Sequence, residues 1–186
     1  MTGWKVTAGS VDWINGYWTP PSGSLSLDIN GSSPPASSAV GEISQTFATA
    51  PNATYAVQFD LAGNPMCGPA TKTLIVSATP TSASSETYSF TNTSLTTLTN
   101  MGWTAEEYSF VATSDSTTLS FAADPTNTSN CGAALASVSM TSIAATSVEC
   151  KDGGWMSMYD SSGALFKNQG DCVSFCATSG ATPIGS

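Results

Sequence analysis

Through most of the chain, apolar and polar residues alternate with a period of two. Ser24-Leu25-Ser26-Leu27-Asp28-Ile29, Tyr55-Ala56-Val57-Gln58-Phe59-Asp60-Leu61 and Thr117-Thr118-Leu119-Ser120-Phe121 show the pattern most cleanly. Successive side chains of a strand point to opposite faces, so each run predicts a strand with one buried face. Thr73-Leu74-Ile75-Val76, Glu106-Glu107-Tyr108-Ser109-Phe110-Val111 and Leu135-Ala136-Ser137-Val138-Ser139-Met140 extend it. Turn-forming clusters such as Asn30-Gly31-Ser32-Ser33-Pro34-Pro35 and Gly63-Asn64-Pro65 separate the runs. No long stretch carries the period of an amphipathic helix. About eight to ten short strands at this spacing predict an all-β fold, an antiparallel β-sandwich of jelly-roll type.

After about Thr146 the alternation stops. Cys150-Lys151-Asp152-Gly153-Gly154-Trp155 and Phe166-Lys167-Asn168-Gln169-Gly170-Asp171-Cys172-Val173-Ser174-Phe175 are rich in glycine and hold two of the cysteines. The expected organisation is a β-sandwich domain at 1–146, a small cysteine-stapled appendage at 147–176 and a tail or linker at 177–186, whose one apolar anchor is Ile184. A chain of 186 residues buries roughly 70 % of the surface its unfolded form exposes, enough for one main core.

Composition narrows the chemistry. The chain has no histidine and no arginine, and Lys5, Lys72, Lys151 and Lys167 stand against 13 Asp and Glu. A Ser/His/Asp triad and a histidine-ligated metal are therefore excluded, as is the bidentate arginine clamp for phosphates. A formal net charge of −9 without a basic cluster makes nucleic acid and anionic membrane unfavourable partners. Charged residues are only 9 % of the chain, so hydroxyls and small side chains carry the surface, as suits an extracellular or cell-surface protein. No apolar run reaches the roughly 18 residues of a membrane span, and no basic segment precedes a hydrophobic stretch. If the protein is exported, Met1 stands where a leader has been removed.

Five cysteines without a C-x-x-C pair, Cys67, Cys131, Cys150, Cys172 and Cys176, fit disulfides better than a zinc site. Cys67-Gly68-Pro69-Ala70 and Cys131-Gly132-Ala133-Ala134 each lie in a glycine-containing loop beside a strand end. A bridge between those loops would contribute roughly 4 kcal/mol by chain-entropy arguments. Cys150 with Cys172 staples the appendage, although Cys176, four residues on, can take the place of Cys172. The fifth sulfur, Cys176, is left for a bond between molecules or for a buried thiol.

Candidate chemistry is sparse. Glycosidases need two carboxylates about 5–10 Å apart, and Asp12, Asp28, Asp60, Glu106 and Glu107 are available, but their spacing selects no pair. Asp28 and Asp60 read as strand-end residues in solvated or hydrogen-bonded turns, with Glu106 and Glu107 on opposite faces of one strand. Trp13, Tyr17 and Trp18, with Asp12 and Asn15 beside them, are the candidate ligand-binding residues. Flat rings stack on sugar faces, and the polar neighbours hydrogen-bond hydroxyls. Trp13 shares a strand face with Val11 and is expected to be buried, whereas Tyr17 and Trp18 follow an Asn15-Gly16 turn. Trp103 reads as core or a loop plug. The sequons at Asn30, Asn52, Asn92 and Asn127 are expected by chance in a Ser/Thr-rich chain.

Several blocks occur in an order that resembles a known family. They are Trp4-Lys5-Val6, Gly9-Ser10-Val11-Asp12-Trp13-Ile14, Gly23-Ser24-Leu25-Ser26-Leu27-Asp28-Ile29-Asn30-Gly31, Ile43-Ser44-Gln45-Thr46-Phe47, Phe59-Asp60-Leu61-Ala62-Gly63-Asn64-Pro65 and Gly102-Trp103-Thr104. Over residues 3–140 the chain resembles the bacterial choice-of-anchor C surface domain, itself similar to the unknown-function domain of plant cell-wall proteins. The resemblance implies a galactose-binding-like sandwich, exported and held at a cell surface. Cys150 to Phe175 separately looks like a short C-terminal cysteine motif of bacterial secreted proteins. Such families begin with a further strand bearing an Asn-Gly-x-Phe-Glu type motif, whereas this chain starts Met1-Thr2-Gly3-Trp4. They also carry Leu-Asp-Asn-Val where this chain has Leu135-Ala136-Ser137-Val138, which argues against a structural calcium ion there, since calcium needs several hard oxygen ligands. No other cofactor is expected.

The leading expectation is a noncatalytic domain for carbohydrate binding or adhesion, its partner a carbohydrate or cell-wall polymer. The alternative is a self-assembling structural subunit. There the open sheet edge left by a missing first strand takes a strand from another copy, and an intermolecular disulfide locks the joint.

Overall fold

The computed structural model describes residues 2–23, 25–32, 40–127, 129–143, 150–151, 153–158, 160 and 165–179. Ten strands among these residues form two five-stranded antiparallel sheets. The first runs, in spatial order, β1 (Lys5–Ala8), β4 (Glu42–Ala48), β9 (Ser116–Ala123), β6 (Thr71–Thr79) and β7 (Glu86–Thr91). The second runs β2 (Asp12–Asn15), β3 (Leu25–Asp28), β10 (Ala133–Ile143), β5 (Thr54–Gly63) and β8 (Thr104–Val111). From β4 onward every connection but β6–β7 crosses between sheets, the wiring of a jelly-roll sandwich. β1 and β2 are both edge strands.

The core lies between the sheets, where the alternation placed it. Val57, Phe59 and Leu61 of β5 face Leu74 and Val76 of β6 and Leu119 and Phe121 of β9. Phe59 meets Phe121 edge-on at 5.3 Å between ring centroids. Each such side chain contributes about 1.5–3 kcal/mol by leaving water. In β6 the buried positions are Lys72, Leu74, Val76 and Ala78, so a lysine occupies a core register position.

β10 breaks the expected alternation. Ala136 pairs with Asp60 and Ser139 with Gln58, so Ser137 and Val138 oppose Phe59 in a β-bulge. Ser137 takes a positive φ of 54°, which leaves it outside while Val138 packs on the core. Leu135 and Val138 thus both serve the core although three residues apart, a spacing that strict period-two reading forbids.

The C-terminal segment, expected as a cysteine-stapled appendage with no element assigned to it, contains helices. A 3-10 turn spans Gly154–Ser157 and α1 spans Gln169–Ser179. Asn168 caps α1: its Oδ1 accepts the Asp171 N–H at 2.9 Å and its Nδ2 donates to the Asp171 carboxylate at 3.0 Å. Phe166 packs on Phe175 at 5.3 Å, and a disulfide joins Cys150 to Cys172. Gly170, Val173 and Phe175 have low helix propensity, so the cap and the staple supply what the sequence pattern did not advertise. α1 includes Ala177–Ser179, which were expected in the tail. The boundary near Thr146, Ser33 to Pro35 of the first turn cluster, Thr128 of one sequon, and 180–186 with Ile184 lie outside the described residues.

Candidate functional site

At the β2 edge of the second sheet a cleft of about 160 Å³ opens toward Trp4 and Ile43 of the first. On the β2 side, Trp13 pairs with Leu27 and Asn15 with Leu25, so these four share the face that looks toward the opposing sheet. Trp13, Leu25, Leu27, Leu135 and Val138 form one wall of the cleft. Trp4 stands on the other side, its ring 5.6 Å from Phe121 and 6.2 Å from Phe47. Ser26 and Ser137 add polar atoms to the lining. Trp13 is 45 % exposed, a large ring face left uncovered in a place where the strand pattern would bury it. A volume of this kind takes on the order of ten water-sized positions, which suits a ring-sized ligand.

The five sequence-selected residues divide. Trp13 and Asn15 reach one face, as above, and the expected burial of Trp13 is corrected by its exposure: it lies on the core face, but on an edge strand beside the open cleft. Asp12 lies on the other face, where its Oδ2 accepts the Ser32 N–H at 3.1 Å. Tyr17 is exposed, its ring 5.8 Å from that of Trp18. Trp18 is not available to a ligand. It is buried with Ala62, Met101 and Ala134 on the far face of the second sheet, and its Nε1–H donates to Ser26 Oγ at 2.8 Å. Thr19 N–H donates to Leu98 O at 2.8 Å and Trp103 Nε1–H to Thr19 O at 2.9 Å, so the segment near Leu98 covers a face that an isolated strand pattern assigns to solvent. Trp103 is half-buried in the same cluster. Trp4 was missed as a site residue, although Trp4-Lys5-Val6 carries the same alternation.

Where β3, β5 and β10 meet, a second feature is assembled from buried polar groups. Asp28 accepts hydrogen bonds from Asn64 Nδ2 at 2.7 Å, Gly132 N–H at 2.9 Å and Asn30 N–H at 3.0 Å. Burial pushes its carboxyl up to about 6 against these hydrogen bonds. Lys72 Nζ donates to Cys131 O at 2.6 Å and Cys67 O at 2.7 Å, the two residues joined by a disulfide with Cα atoms 5.7 Å apart. Burial lowers the Lys72 pKa, and the charge of Asp28 opposes that shift. Asn30 Nδ2 donates to Asn127 O and Ser129 O, and Asn127 Nδ2 to Cys131 O. An ammonium bound by carbonyls near a carboxylate occupies the role that a structural cation plays in other proteins. Asp28 was expected at a strand end in a solvated or hydrogen-bonded turn; it is the hydrogen-bonded last residue of β3, but buried, at the centre of this plug. The parity of Lys72 with Leu74 was the signal that it points inward.

Three of the remaining candidate carboxylates, Asp60, Glu106 and Glu107, line a second cleft on β5 and β8. Glu106 pairs with Phe59 and Glu107 with Gln58, so they face opposite ways. Glu106 accepts from Thr104 Oγ1 at 3.1 Å and Glu107 from Gln58 Nε2 at 3.4 Å. Among the described residues, no helix is long and apolar enough to cross a membrane.

A family model described as "Protein of unknown function (DUF642)" matches residues 1–141. Over 34 residues the chain is 50 % identical to halomucin of Haloquadratum walsbyi, which is 18 % of this chain and, to the nearest per cent, 0 % of that protein's length. Among solved structures, TmCBM61 in complex with beta-1,4-galactotriose shares 9 % identity at a TM-score of 0.48, covering 76 % of this chain and 90 % of that one. A family 35 carbohydrate-binding module from an environmental isolate shares 17 % at 0.48, covering 75 % and 86 %. The corresponding module from Paenibacillus barcinonensis shares 18 % at 0.45, covering 75 % and 93 %.

Proposed function

The chain belongs to the family described as protein of unknown function (DUF642), and from that premise we propose that its sandwich is a noncatalytic extracellular domain that binds carbohydrate in the cleft between Trp4 and Trp13. The observation that carries this reading is the half-exposed Trp13 ring above an open apolar cleft. A pyranose presents an apolar face that stacks on indole and a rim of hydroxyls that needs a few polar partners. Ser137 at the cleft wall is the polar side chain nearest to hand, and Asn15, on the same strand face as Trp13, extends the reading to the strand end. Two disulfides in a chain with few charges fit an oxidising, extracellular setting. The resemblance to the choice-of-anchor C domain extends the reading to adhesion at a bacterial cell surface. The sandwich, 1–146, is the binding unit, and the appendage from 147 is a separate cysteine-stapled element.

The test is binding to a panel of immobilised glycans and cell-wall polysaccharides. Trp13→Ala should weaken binding tenfold or more, the loss of about 1.4 kcal/mol expected when a stacking ring is removed. Leu95→Ala, at a residue 76 % exposed, should change nothing. Equal binding by wild type and Trp13→Ala would overturn the reading. Trp18→Ala is unsuitable, because that side chain is buried and its loss reports on folding.

A second reading rests on the same edge. β1 and β2 are both unpaired along one side, with Val6 at 49 % and Leu25 at 42 % exposure, so a strand from another copy has backbone groups and apolar positions to meet. Light scattering across a concentration series separates the two. Growth of assemblies that Trp13→Ala abolishes favours the self-assembling subunit, and a constant monomer mass removes it.

A further inference from the structure

The sulfur atoms of the appendage are closer than a single staple requires. Cys150 and Cys172 are disulfide-bonded, and Cys176 Sγ lies 3.4 Å from Cys150 Sγ. All three sulfurs lie within 4.8 Å of one another. The helix makes this possible: Cys172 and Cys176 are one turn apart on α1 and so share a face. We propose that Cys150, Cys172 and Cys176 form a thiol–disulfide exchange site, in which one disulfide moves between Cys150–Cys172 and Cys150–Cys176.

The step balances without an outside reagent. The Cys176 thiol gives a proton to water, and its thiolate attacks Cys150 Sγ. A Cys150–Cys176 bond forms and the Cys150–Cys172 bond breaks, with its electron pair leaving on Cys172 Sγ, which takes up a proton. One disulfide and one thiol exist before and after, so nothing is oxidised or reduced overall. The site has its own small core, with Phe166, Trp155 and Met158 packed around the sulfurs, which holds the three together while the bond moves.

The two states differ in what they offer to the outside. With Cys150–Cys172 formed, the thiol is Cys176, on a half-buried residue at the edge of the cluster; with Cys150–Cys176 formed, it is Cys172, which is fully buried against Met158. The exchange therefore presents or withdraws a thiol able to form a mixed disulfide with an external disulfide, whether small molecule or protein.

The experiment is disulfide mapping of the full chain. Protein held at about pH 8.5, where a thiol of ordinary pKa is substantially ionised, is quenched into acidic denaturant. N-ethylmaleimide is then added, followed by digestion without reductant and mass spectrometry. Peptides joined through both Cys150–Cys172 and Cys150–Cys176 are expected, each with the maleimide on the remaining cysteine, while Cys67–Cys131 stays in one pairing. Recovery of Cys150–Cys172 alone, with all label on Cys176, would overturn the proposal. Cys172→Ser gives an independent check, since it should close Cys150–Cys176 spontaneously in air and leave no thiol for DTNB. Two DTNB-reactive thiols in that variant would count against the proposal as firmly.

Discussion

Two regions of this sandwich solve the same problem in opposite ways. Where β3, β5 and β10 meet, the gap is filled by Asp28, Asn30, Asn64, Lys72 and Asn127, which satisfy one another and the carbonyls of a disulfide. At the β2 edge the gap is left open, and indole and leucine surface lines it. The polar plug looks like active-site chemistry in a list of residues, with a buried acid and a buried lysine. Its groups are turned on each other, however, and none is left facing a substrate. The cleft holds no titratable side chain, yet it is the region whose surface still gains by being covered. Perturbed ionisation marks structure here, and exposed apolar area is where the proposed binding is placed.

That contrast predicts that plug variants lower stability without touching binding, and that cleft variants do the reverse. The largest effect is expected for Lys72→Met, which strips a buried cation from two carbonyls and from the neighbourhood of Asp28. It should cost about 3–5 kcal/mol and lower the calorimetric midpoint by about 10 °C, while glycan affinity measured well below that midpoint is unchanged. A midpoint within about 2 °C of wild type would show that the plug does not hold the loops. Trp18→Ala should cost about 3–5 kcal/mol as a buried-ring deletion and lose binding only in proportion to the unfolded fraction, which circular dichroism on the same samples measures.

Asp28→Asn tests the plug through pH. The folded-state carboxyl sits near 6 against an ordinary value of 3.8, so the fold holds this proton more tightly than the unfolded chain does. The stability from that difference is fully present below about pH 4 and is lost as pH rises through about 6, for a total of about 3 kcal/mol. Urea titrations from about pH 4 to 7 should show wild type losing stability relative to Asp28→Asn across that window. A difference that stays flat, or that rises with pH, breaks the assignment. The smallest stability effect, under about 1 kcal/mol, is expected for Trp13→Ala, despite its loss of glycan binding. A cost as large as that of Trp18→Ala would mean that Trp13 belongs to the core and that the cleft is a packing fault.

Much of the fold was legible in the chain. β6 and β9 bury every second residue as their sequences spell out, and the loops of Cys67 and Cys131 meet in a disulfide. Less of the candidate site could be read. Trp13, Tyr17 and Trp18 are near neighbours with equal claim to a ligand, yet they end at 45 %, 51 % and 2 % exposure. The helix α1 was invisible because its residues favour other structure and its support comes from Cys150 and Phe166, outside the helix itself.

The sequence alone determined the period of each strand, hence which side chains share a face, and it excluded histidine and arginine chemistry. Only the tertiary structure decided which faces are covered, because cover comes from residues distant in the chain. The segment near Leu98 buries Trp18 on what looked like a solvent face, and Lys72 finds carbonyls five and 59 residues away. Trp13 faces the core and still meets solvent, because it lies on an edge strand beside an open cleft. Periodicity gives a side chain its direction, and packing decides what is waiting there.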